Sequence, residues 1–120
     1  VAEYNMKNDI EIVDEMIWHD GVLLETRTIC HHAEYNFILI EEVYADDSTS
    51  GRQQKIIEFM GVEHFSQIMD ATELIDNQSA GNIKDAIILY KKKKHKIMIN
   101  LFGGFLSFSF RKLRVIGNEC

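Results

Sequence analysis

His19-Asp20, inside the stretch WHDG (18–21), is the first pair in this sequence that could do chemistry. An imidazole beside a carboxylate can ligate a metal or relay a proton. A metal-dependent phosphohydrolase of the His-Asp type needs further His and Asp ligands on neighbouring helices. Here the pair precedes a strand-like run, and no helical scaffold surrounds it. Asp20-Gly21 is also a good turn dipeptide, because Asp bonds its own backbone and Gly accepts a positive φ. The turn is the better account, with Trp18 packing where the sheet begins and Val22 opening a core strand. His31-His32 is a second pair. Adjacent side chains of a strand point to opposite faces, so the two can share a metal only in a turn. His64 or Glu34 would then be the third ligand. A polar hairpin end between Cys30 and Tyr35 explains the pair more simply.

Other reactive patterns are missing. No serine sits in a G-x-S-x-G elbow, and Ser107 and Ser109 alternate with apolar residues as in a strand. The run GGFLSFS has glycines but lacks the Lys-Ser/Thr of a phosphate loop. Glu41-Glu42 and Asp46-Asp47 are adjacent acids of the kind that line a solvated edge. No acid, base and orienting group combine into a catalytic set, and no cofactor motif is present. Cys30 and Cys120 form no C-x-x-C pair, which removes sequence support for zinc and for thioredoxin-type exchange and leaves two free thiols as the expectation.

The elements that would position these residues are mostly strands. At 120 residues the chain has room for a single domain, 1–120, with a core that needs no staples. Alternating or β-branched runs predict strands at 9–13, 22–30, 34–44, 55–62, 83–90, 96–102 and 105–116. Residues 46–53 read as a loop. Phe65, Ile68, Met69, Thr72 and Ile75 follow helical spacing and predict one helix near 63–76, stopped by the polar run DNQSAGN (76–82), in which Gly81 can take a positive φ. Gly103-Gly104 signals a hairpin. The apolar phase slips by one residue near Arg111-Lys112, which predicts a β-bulge. Several strands are apolar on both faces at their centres, so both faces of the sheet should be covered. The fold expected is mainly β: an antiparallel sandwich, or a strongly curled sheet of about seven strands, with one helix.

Charge divides the chain. Residues 1–80 carry 17 acids against 4 Lys and Arg, whereas residues 81–120 carry 2 acids against 9 bases; the net charge is −6. A duplex-binding domain is normally basic overall, so nucleic acid is not the expected partner, and KKKKHK (91–96) reads as a soluble hairpin tip. Proline is absent, so charge must guard the sheet edges. The longest apolar runs are far short of a membrane span, and the acidic N-terminal stretch lacks the layout of a signal peptide. A cytoplasmic chain is the expectation. Tyr35, Glu41, Glu42, Tyr44, Asp46 and Asp47 interleave aromatics with acids, and Glu73 and Asp76 accompany the predicted helix. That combination suits capture of a basic protein: charge speeds the encounter and aromatic burial holds it.

The segments WHDGVLLETRTI, FILIEEV, KIIEFMGV, GNIKDAIILY and INLFGGFLSFSFRKLRVI, in that order, resemble a loose class of small bacterial proteins. In that class a His-Asp dipeptide opens the first core strand and a Gly-Gly turn precedes the last ones. Several members are similar to immunity proteins of polymorphic-toxin and contact-dependent growth inhibition systems. The resemblance covers roughly residues 17–116 and implies a cytosolic antitoxin that binds one cognate toxin domain, often a nuclease, released from the C-terminus of a large secreted protein. It transfers no residue roles. The alternative from the residues themselves is a small ligand- or metal-binding β-domain using the His31/His32 region.

Overall fold

The computed structural model of the chain describes residues 7–44 and 51–119, apart from the side chains of His31 and residues 117–119. Its elements run α1 (Lys7–Glu15), β1 (Ile17–His31), β2 (Glu34–Tyr44), β3 (Gln53–Met60), β4 (Glu63–Met69), α2 (Ala71–Asp76), β5 (Ile83–Leu89), β6 (His95–Leu101), β7 (Gly104–Phe110) and β8 (Lys112–Glu119). Two four-stranded antiparallel sheets result, ordered β1-β2-β3-β8 and β4-β7-β6-β5. The expected mainly-β fold is the one observed, with eight strands and two helices among the described residues.

Period-two alternation builds the core. Phe37, Leu39 and Val43 of β2 and Ile57 and Phe59 of β3 point inward from the first sheet. Ile97, Ile99 and Leu101 of β6 and Leu106, Phe108 and Phe110 of β7 meet them from the second. The rings interlock: Phe108 lies 5.1 Å from Phe37 and 4.9 Å from Phe59, and Phe59 lies 5.0 Å from Phe110, at the tilted or edge-on angles that aromatic quadrupoles favour. Each such side chain adds roughly 1.5–3 kcal/mol on leaving water.

Three sequence expectations are corrected. Residues 9–13 are helical within α1, because Ile10, Val13 and Met16 fall on one face and pack into the core. The stretch 63–76 is a strand followed by a short helix, with only Ala71–Asp76 helical. In β4, Phe65 and Met69 pack against the core while Ile68 faces out, and apolar residues on both faces of a strand imitate helical spacing. The phase slip at Arg111 is a change of sheet: β7 belongs to the second sheet and β8 to the first, and the Arg111 N–H donates to Met60 O at the crossing.

The outer faces of both sheets have no further layer over them among the described residues. Ile38 is half-buried between Arg27 and Glu58, and Glu58 accepts from Arg114 at 2.6 Å. The hydrocarbon stems of these charged neighbours supply the cover that a third layer would have given. No helix among the described residues is long and apolar enough to cross a membrane.

Candidate interaction surfaces

WHDG lies within β1, where six residues of that strand, Ile17 to Val22, stand against only the three from Tyr44 to Glu42 of β2. Asp20, rather than Gly21, takes the left-handed backbone, with φ 66°. Gly21 is required by packing: a Cβ there would meet Val43 Cγ1 at 2.8 Å and Trp18 O at 3.0 Å. His19 Nδ1 donates to Lys84 O at 3.2 Å, and its other nitrogen lies 3.3 Å from Asp20 on the exposed surface. His19 therefore ties β1 to β5. Gly81 (φ 111°) lets the chain before β5 pass against the Asp20 backbone, where a Cβ would collide.

Asn82 fastens the same corner. Its side chain accepts from the Leu23 N–H at 2.8 Å and donates to Leu74 O at 3.0 Å, and its carbonyl accepts from the Phe102 N–H. Arg52 adds a second clamp, donating to Asp20 O at 3.0 Å and to Ser79 O at 3.1 Å while lying 5.6 Å over the Tyr44 ring. Neither residue stands out in the sequence. Isolated polar residues beside loops carry no spacing signal.

His31 pairs with Glu34 across the β1–β2 hairpin, and His32 occupies its tip with φ 56°. Among the described residues no group of three or more His, Cys, Asp or Glu is placed to hold a metal. The serines Ser107 and Ser109 sit on the outer face of β7.

The aromatic–acid set divides between the two faces of β2. Glu42 and Tyr44 face outward and are half-buried. Tyr35 turns to the core side and packs edge-on against Phe65 at 6.1 Å. Glu41 is 0% exposed, so it cannot contribute to a docking surface, contrary to the sequence reading. Its parity with Phe37, Leu39 and Val43 was the signal for this. Burial pushes its carboxyl well above the ordinary range. Asp46 and Asp47 lie outside the described residues. Glu73 and Asp76 are exposed on α2, with Asp70 accepting from the Glu73 N–H as the N-cap. Through Arg52, the Tyr44 end of β2 and the loop after α2 are held together.

A second group of acids was hidden by reading 9–13 as a strand. Glu11, Asp14 and Glu15 are exposed on α1, and Asp9 is half-buried. Tyr90 donates to Asp14 at 3.0 Å, and burial together with that bond raises the phenol's pKa. Elsewhere carboxylates meet cations: Glu25 pairs with Arg27, Glu34 with Arg111, Glu58 with Arg114, and Glu63 with Lys94. The Lys94 ammonium holds the Glu63 carboxyl below its ordinary range.

A cleft of about 270 Å³ lies between the β1–β2, β3–β4 and β7–β8 connections, lined by Glu34, Gly61, Glu63 and Arg111 among others. The outer face of the second sheet offers a different chemistry. There Leu89 stands opposite Lys96 and Ile87 opposite Met98, with Ser107 beside Met98.

No protein-family model matches the chain, and neither curated proteins nor solved structures provide a match.

Proposed function

We propose that the protein is an immunity-type binding protein that neutralises a basic, nuclease-class toxin domain by covering its active surface. The observation that carries this reading is where the exposed acids sit. Both helices present acids outward, and neither has a base in its last turn. Asp14 and Glu15 close α1 and Asp76 closes α2, at the negative end of each helix dipole. Acids placed there cost the fold about 0.3–1 kcal/mol apiece, so stability does not account for Glu15 or Asp76, whereas Asp14 also accepts from Tyr90. A cationic partner does, since it is steered by the field and relieves the repulsion on binding.

The test is titration calorimetry against the basic domain encoded beside this chain, at low and at high salt. Binding should weaken as salt screens the charges. Charge reversal by Glu73→Lys with Asp76→Lys, and separately by Glu11→Lys with Glu15→Lys, should lower affinity while leaving the circular dichroism spectrum intact. Unchanged affinity in both pairs removes the proposed surface.

A further inference from the structure

The β5–β6 half of the second sheet is apolar where a solvated face would be polar. Ile87 is 55% exposed and Leu89 51%, and with Met98 and Lys96 they line a groove of about 200 Å³. Exposed aliphatic area of this kind forgoes roughly 25 cal/mol per Å² that a partner's surface would recover. The groove leads into the lysine loop. Lys91–Lys94 follow β5 after Tyr90, and with His95, Lys96 and Ser109 they frame an open hollow of about 440 Å³. The acids on this face are already engaged: Glu63 pairs with Lys94 at 2.9 Å, and Asp85 accepts from Asn100 at 2.7 Å. Among the described residues, Lys91, Lys92, Lys93 and Lys96 have no carboxylate partner.

We propose that this half-face docks an acidic, amphipathic segment of a protein partner, with apolar side chains in the Ile87–Leu89–Met98 groove and carboxylates on the lysine loop. Charge complementarity selects the occupant, since a basic segment would be repelled by the four lysines that have no carboxylate partner. Anionic lipid satisfies the lysines less well. A bilayer would also press against Asp85 and against acidic α1, which the Tyr90–Asp14 hydrogen bond holds beside the loop. A narrow segment reaches the groove and loop without touching either. This surface is chemically opposite to the acidic helices and does not rest on the toxin reading.

The probe is a fluorescein-labelled synthetic peptide alternating Glu and Leu, followed by anisotropy. Oligoglutamate of equal charge, a Lys-Leu peptide, and vesicles of phosphatidylcholine with phosphatidylglycerol run in parallel. The Glu-Leu peptide should bind more tightly than the other three. Ile87→Ser with Leu89→Ser, and Lys92→Glu with Lys93→Glu, should each weaken it by about tenfold or more while the fold is retained. Reversing Glu73 and Asp76 on α2 should leave peptide binding unchanged, which separates this surface from the acidic one. Absence of peptide binding, equal binding of oligoglutamate, preference for vesicles, or indifference to both double substitutions would overturn the proposal.

Discussion

Glu41 on β2 stands directly opposite Lys55 on β3, yet among the described residues neither of its carboxylate oxygens has a hydrogen-bond partner. On its other side Leu23 of β1 faces it across the ladder. A buried carboxyl without hydrogen-bond partners costs about 1–3 kcal/mol even when protonated, and more when charged. Removing it should therefore stabilise the fold. Because burial raises its folded-state pKa above the unfolded value, the native state holds the proton more tightly. Stability from this group is complete below the unfolded pKa and is lost as pH rises through the folded one. The slope reaches about 1.4 kcal/mol per pH unit. Glu41→Met should raise Tm, with a larger gain at pH 8 than at pH 5. Thermal melts at the two pH values check this, and a lower Tm at pH 8 would contradict it.

Gly21 makes a steric prediction. Its Cβ would crowd Val43 Cγ1, Trp18 O and Glu42 O, so Gly21→Ala should cost about 1–3 kcal/mol through overpacking. Val43→Ala in the same chain should recover part of that loss, because it removes the nearest of the three contacts. Urea denaturation of the two single variants and the double variant gives the coupling. Additive losses would mean that the two backbone carbonyls, rather than Val43, set the limit.

Most of the strand pattern was readable from the residues. The run 34–44 matches β2 to the residue, and the hairpin before β7 follows from Gly103, whose φ of 94° serves the Phe102–Gly103 turn. What escaped has physical causes. In α1, Ile10 and Ile12 alternate like a strand, and only Met16, beyond the segment, completes the Ile10–Val13–Met16 face. At Glu41 a neighbouring acid suggested a solvated edge, whereas side-chain parity places it inside. The clamps of Arg52 and Asn82 join residues far apart in sequence and depend on how the sheets cross. The surface reading was legible as charge and not as geometry. Composition divides acids from bases, but only the fold places the acids on helices and the lysines beside an apolar groove.

Arg52 holds three segments at once, the bulge of β1, the loop before β5 and the Tyr44 ring. Arg52→Ala should cost about 1–2 kcal/mol, chiefly through two backbone carbonyls losing their donors. Arg52→Lys should restore little, because a single ammonium cannot reproduce the planar fork that reaches both oxygens over an aromatic face. Denaturant midpoints for the two variants test this. Hydrogen exchange should show faster opening at Gly81, whose N–H donates to Asn77 O inside the clamped loop.

His95 governs the shape of the lysine loop. Its ring is buried against Tyr90 and Phe110, each 5.3 Å away, and its Nδ1 accepts the Lys91 N–H at 3.2 Å. That acceptor exists only while Nδ1 carries no proton, and desolvation lowers the ring's pKa from 6.5 accordingly. With the folded pKa depressed, this group's contribution to stability is present above the unfolded value and is lost as pH falls through the folded one. The Lys91 amide resonance should therefore titrate with a midpoint below 6.5, moving as the bond to His95 breaks. His95→Gln retains an acceptor without the titration, so it should remove the midpoint and flatten the acid side of the stability profile. If the Lys91 amide titrated unchanged in that variant, the loop would be responding to some other group.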